Sequence, residues 1–188
     1  MSALRYICCM KTNICMVAGV MIIAIFSFTF IQSQEWKISD DYSIKFTGNN
    51  ATGIFRGLKG TVIFDDADLS SSRFDVTVDV TSINTGSGMK NTHAKSEKWF
   101  DAAKYPYIAF KSTSISKTPG GYAAKGNLTM HGVTKDFTIP FTFTKNSGGG
   151  VFVSNFTVNR LDFGIQTPEP DLGAASVLTV DLNIPVLR

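Results

Sequence analysis

Cysteine and histidine are scarce in this chain, and that scarcity removes several classes of function. Three cysteines occur among 188 residues, Cys8, Cys9 and Cys15, all near the start. Beyond them there is no disulfide, no thiolate metal site and no cysteine nucleophile. The two histidines, His93 and His131, stand alone, with no His-x-His or His-Glu-x-x-His spacing. They give no ligand set for a metal, and no metal or cofactor is expected. Gly-x-Ser-x-Gly is missing, and so is a glycine-rich phosphate loop leading into a helix. Charge of one sign is also missing. The formal net charge is +3, and Arg5 and Lys11 supply two of those charges. Without them 16 basic residues face 15 acidic ones, with the lysines scattered along the chain. Nucleic acid needs a clustered basic footprint, so it is excluded as a partner.

What the chain does have begins with an apolar run. From Ile14 to Ile31 it reads ICMVAGVMIIAIFSFTFI, 18 residues without a charge, preceded by Arg5 and Lys11. A basic start and an apolar run make a signal peptide, or an anchor if uncleaved, because the length just spans a bilayer. Residues 1–34 are therefore set apart, and 35–188 form one domain.

That domain reads as short strands. Phe74, Val76, Val78 and Val80 alternate with Asp75, Thr77, Asp79 and Thr81. Phe137, Ile139, Phe141 and Phe143 repeat the pattern, and Leu178, Val180, Leu182, Ile184 and Val186 close it. A period of two puts each set on one face of a strand. The first strand, from Trp36 to Phe46, has a bend at Asp40-Asp41. Gly53, Gly57 and Gly60 predict a second bent or bulged strand. Asp-, Gly- and Ser-rich turns separate about eight strands, which favours an antiparallel meander. Eight strands close a barrel with room for one ligand.

One stretch breaks the rhythm: NTHAKSEKWFDAAKYPYIAFK, residues 91–111. The spacing of His93, Glu97 and Phe100 predicts a short helix over about 93–101, with Thr92 as a cap. Pro106 then turns the chain back into a strand. The helix carries Trp99 and Phe100 as a knob suited to a barrel mouth.

Four stretches together carry a family likeness. They are SINTGSGMKNTHAKSEKWFDAAKYPYIAFKST, GNLTMHGVTKDFTIPF, NRLDFGI at 159–165, and SVLTVDLNIPV. In this order they resemble the signature of the YceI-like, or polyisoprenoid-binding, family of exported bacterial lipocalin-like proteins. The likeness covers residues 36–188. Two departures stand out. Asp40-Asp41-Tyr42-Ser43 lacks the family's histidine in the first strand. Lys90-Asn91 replaces its Arg-Asp, with Ala94 for leucine.

The resemblance implies an all-β fold, an eight-stranded antiparallel lipocalin-like barrel with the helix near its mouth. It implies a binding protein, not an enzyme, that holds a long-chain amphiphile for transport, storage or stress protection. The amphiphile is a polyisoprenoid phosphate, an isoprenoid quinone or a fatty acid amide. The location implied is periplasmic or secreted, or at the inner membrane if residues 14–31 remain as an anchor. Twelve of the 15 phenylalanines lie in the domain, more large flat side chains than a small self-filled barrel needs. The expected cavity lining is Phe46, Phe55, Phe64 and Phe74 from the early strands, and Trp99 and Phe100 from the helix. Phe110, Phe141, Phe143 and Phe163 complete it. His93, Lys95 and Arg160 are the expected head-group contacts. Arg160 has a second reading as an ion pair with Asp162, and His131 reads as a hairpin-turn residue. Two alternatives keep the barrel but change its role: an integral outer-membrane barrel, or an enzyme acting on an isoprenoid with His93 as base.

Overall fold

The computed structural model describes residues 34–49, 52–165 and 176–188. They belong to the second of two compact units, residues 32–188. The expected signal or anchor lies outside the described residues, as do 166–175 of the connection after NRLDFGI.

Among the described residues the alternating stretches form ten strands. These are β1 (Glu35–Ile38), β2 (Ser43–Thr47), β3 (Thr52–Phe55), β4 (Lys59–Ile63) and β5 (Arg73–Asp79). They continue as β6 (Tyr107–Thr118), β7 (Gly121–Met130), β8 (Val133–Lys145), β9 (Gly149–Asn159) and β10 (Val177–Leu187). All pair antiparallel. β1 and β2 both lie along β10, with Ile38 opposite Val186 and Ser43 opposite Asn183. They are one stave bent between the two strands, as Asp40-Asp41 suggested. β3 and β4 are the next stave, pairing with β2 and β1 respectively. Gly57, at φ 70°, turns the corner between them. From β4 to β10 each strand pairs with the next, and the β1–β10 pairing closes eight staves into a barrel.

Apolar residues point in and charged ones point out. Lys45, Asp75, Lys111, Lys125 and Asp136 are exposed on the outer wall, and Asp75 pairs with Lys111 at 3.1 Å. A membrane-spanning barrel has the reverse arrangement, with an apolar outer band.

The helix differs from its expected place. α1 spans Gly88–Lys95, and the residues after it form turns. Ser87 caps it, its side chain accepting from the Lys90 amide, and Ser96 ends it. Thr92 is not the cap. Its hydroxyl donates one turn back to the Gly88 carbonyl. Trp99 and Phe100 are therefore carried by a turn tied back to α1 by the bond from the Phe100 amide to the Ala94 carbonyl. The serine cap outcompetes the apolar spacing that favoured a later start.

The barrel's two ends differ. At one end, Phe64 is 1% exposed and meets the rings of Phe74, Tyr122, Phe141, Phe143 and Phe152 at 5.0–6.4 Å. Trp36 joins them through Phe143 at 5.2 Å, and its indole N–H donates to the Phe64 carbonyl at 2.8 Å. These mostly edge-to-face contacts make a packed seal. The other end carries α1, its following turn and the residues after β9. Phe64→Ala should cost about 3–5 kcal/mol in denaturant unfolding, because it empties the middle of the seal. Gly60→Ala should cost about 2 kcal/mol, because Gly60 sits at φ 128° and an added Cβ overlaps the Asp75 carbonyl.

Candidate functional site: an apolar cavity with a polar mouth

Above the seal the middle of the barrel is open, lined by aliphatic and aromatic side chains. Val76 and Val78 of β5, Leu128 and Met130 of β7, and Leu178, Val180, Leu182 and Ile184 of β10 face this space. It is a cavity of about 660 Å³. Among the described residues its lining contains no aspartate or glutamate, and His93 is its one histidine.

Ser154, on β9, is the polar group deepest among the strands. Pro140 on β8 has no amide to donate, and the β8–β9 pairing begins only at Thr142. The Ser154 hydroxyl donates to the Pro140 carbonyl instead and is satisfied there. The remaining polar lining gathers at the mouth: Asn49 and Thr52 from the β2–β3 turn, Thr85, Lys90, His93 and Arg160.

Arg160 is the structural centre of that mouth. Asn159 ends β9 and accepts from the Leu161 amide, opening a 3₁₀ turn over Arg160–Phe163. Gly164, at φ 67°, reverses the chain behind it. The turn directs Arg160 inward, where it is 7% exposed. Its guanidinium lies 4.8 Å from the Trp99 ring and donates to the Ile165 carbonyl at 3.4 Å. Burial pushes its pKa below the ordinary arginine value, but a guanidinium keeps its charge. Trp99 thus meets both Arg160 and His93, whose ring lies 5.4 Å away. The Arg160–Asp162 ion pair does not form, because Asp162 is exposed while Arg160 points into the barrel.

Seven of the ten expected aromatic residues line the cavity: Phe46, Phe55, Phe74, Trp99, Phe100, Phe110 and Phe141. Phe64 and Phe143 face inward but are consumed by the seal. Phe163 is buried under the 3₁₀ turn, its carbonyl facing Nδ1 of His131 at 3.3 Å. His131 sits in the β7–β8 turn at φ 52°, as its sequence context suggested. Of the expected head-group contacts, His93 and Arg160 reach the cavity. Lys95, in the last turn of α1, does not, and Lys90 occupies the place expected for it. Phe152 and Phe156 also line the cavity. The alternation Phe152, Ser154, Phe156, Val158 in β9 carried that signal. Met89 and Thr85 had no signal, because only the fold brings them to the rim.

A closed antiparallel barrel with an apolar interior and a polar mouth defines a lipocalin-like fold. A model of the YceI-like domain matches residues 31–186, and the chain belongs to that family. A UPF0312 protein of Yersinia pestis is 32% identical over 143 residues, 72% of this chain and 73% of that protein. The crystal structure of Burkholderia cenocepacia BcnA superposes with a TM-score of 0.72 at 26% identity. That likeness covers 77% of this chain and 95% of BcnA. A polyisoprenoid binding domain from Saccharophagus degradans, implicated in plant cell wall breakdown, shares the fold at a TM-score of 0.56 and 13% identity. It covers 82% of this chain and 98% of that one.

Arg160→Leu should lower stability by about 2–4 kcal/mol in denaturant unfolding, because it removes a buried cation from the Trp99 ring and the Ile165 carbonyl. Lys95→Ala should change it by less than about 0.5 kcal/mol.

Proposed function

We propose that this domain binds a long-chain isoprenoid amphiphile, its tail in the cavity and its head at the mouth beside Lys90, His93 and Arg160. One observation carries the reading: the cavity walls are apolar apart from Ser154, whose hydroxyl is bonded to the Pro140 carbonyl, while the cations gather at one end. A ligand matched to that distribution has a hydrocarbon tail and an anionic or carbonyl-bearing head. The description of the Saccharophagus degradans neighbour as a polyisoprenoid binding domain supports the isoprenoid class. Polyprenyl phosphates and isoprenoid quinones fit; a fatty acid amide fits the tail space with a weaker head contact.

Burial of one five-carbon unit contributes roughly 3–4 kcal/mol at about 0.8 kcal/mol per carbon. Ordering the tail and losing free tumbling offset several kcal/mol of that gain. At about 30 Å³ per non-hydrogen atom, by analogy with water, the 660 Å³ cavity holds roughly 20 such atoms, or about four isoprene units. Binding, not catalysis, suits this lining. Acid–base chemistry uses positioned titratable groups, and among the described residues the cavity lining has His93 and no carboxylate. Carriage or storage of the lipid outside the cytoplasm is part of the proposal, supported by the apolar run at 14–31.

The first test is native mass spectrometry of residues 32–188 purified from a bacterial host without detergent, with organic extraction of anything bound. A stoichiometric isoprenoid lipid is the expected result. An empty protein that also refuses added prenyl phosphates and quinones would overturn the reading. In a titration series of prenyl phosphates, affinity should climb steeply up to about four units and flatten beyond, once the cavity is full. Lys90→Ala should weaken a prenyl phosphate several-fold while leaving the matching uncharged prenol nearly unchanged.

A further inference from the structure

The mouth end has surface features that the tail-binding reading does not use. α1 has no buried residue. Met89 stands 84% exposed although it also borders the cavity. Tyr107, at the start of β6, is 57% exposed, and Val177, at the start of β10, is 38% exposed. Both strands begin at the mouth, since Tyr107 lies opposite Asp79 and Val177 opposite Asn159. Of five large apolar side chains exposed among the described residues, three thus border one opening. Leu187 is at the sealed end.

Charge is biased the same way. Residues 88–107 carry Lys90, Lys95, Lys98 and Lys104 against Glu97 and Asp101. The rest of residues 34–188 carries 12 basic and 13 acidic residues. Residues 88–107 are net positive, and Arg160 and Asp162 at the same end add one charge of each sign. Lys90, Lys98 and Lys104 are exposed. The termini of the described domain are elsewhere: the Gln34 carbonyl bonds the Phe64 amide, and the Arg188 amide bonds the Gly148 carbonyl, both at the sealed end.

We propose that this face docks on the surface of a bilayer containing anionic lipid, with Met89 dipping into the headgroup layer and Lys90, Lys98 and Lys104 over the phosphates. A tail then passes between membrane and cavity without crossing open water. Met89, Tyr107 and Val177 are separate exposed groups at one end of the barrel, with exposed lysines in the same segment as Met89. A protein partner favours a contiguous apolar patch with its charges at the rim. A fluid charged surface accommodates scattered apolar groups, and its field draws in the lysines within a Debye length. The proposal takes its purpose from the tail-binding reading, but its geometry stands independently.

The test is sedimentation of residues 32–188 with vesicles of phosphatidylcholine alone and of phosphatidylcholine mixed with phosphatidylglycerol. These residues close the barrel and its core by themselves. The protein should pellet with the mixed vesicles, less so as salt rises, and stay in solution with phosphatidylcholine. Lys98→Glu with Lys104→Glu should cut the partition coefficient roughly tenfold or more. Met89→Glu should cut it as well, and Leu187→Glu at the sealed end should not. Equal binding to both vesicle types, no binding, or indifference to the lysine reversals would overturn docking. So would a solution dimer that buries Met89. A prenol delivered from ethanol separates the two readings. Uptake without vesicle binding overturns docking alone, and vesicle binding without any prenol uptake overturns the tail reading alone.

Discussion

Closing the sheet on itself constrains everything else in this domain. A closed barrel satisfies every edge strand, but it leaves an interior that the inward side chains must fill or line. The inward row changes character along the axis. At the sealed end Trp36, Phe64, Tyr122 and Phe143 interlock, and Phe74, Phe141 and Phe152 pack on them as the floor of the cavity. Towards the mouth the staves present Val76, Val78, Leu182 and Val158 among Phe46, Phe55, Phe110 and Phe156, and these rows leave a space between them.

Closure also requires two staves to bend. The first bends after Ile38 and the second at Arg56–Leu58. Tyr42 holds the bent region together: its hydroxyl accepts from the Leu58 amide at 2.9 Å, and its carbonyl accepts from Arg56 at 3.2 Å. An isolated bridge between Ile54 and Asn84 then fastens the β3 end to the chain leading into α1. The corner that shapes the wall thus also helps place the mouth. At that mouth Arg160 and Trp99 depend on each other. The cation is stabilised by the ring face, and the ring is held over the opening by the cation. In the proposed binding mode a head group meets a charge that is already oriented, which reduces the ordering cost of recognition.

Much of this was legible in residue order. Period-two alternation grouped the side chains that share a face in β5, β8 and β10, because a strand puts every second side chain on the same side whatever its partners, but it left open which face looks inward. Glycines and Asp-Asp marked the bends. The likeness of four ordered stretches to the YceI-like family brought the closed barrel and its helix into view. Alternation did not separate residues that line a cavity from residues that plug it. Phe64 and Phe143 have the same pattern as Phe74 and Phe141. Their different fates depend on how far along the axis each one lies and on which rings face it from other staves. Lys95 and Lys90 make the same point on a helix. Their order along α1 is plain, yet which one reaches the opening depends on how α1 is set against the barrel.

The sequence by itself determined the local rules: which residues alternate, where the chain bends, and that cysteine is absent from Met16 onward. The first two follow from covalent geometry and near-neighbour hydrogen bonding. The tertiary structure alone decided the partition of the aromatic rows into seal and cavity, the inward turn of Arg160 under Trp99, and the gathering of Met89, Tyr107 and Val177 at one rim. Those residues are far apart in the chain, and only ring closure fixes the distances between them.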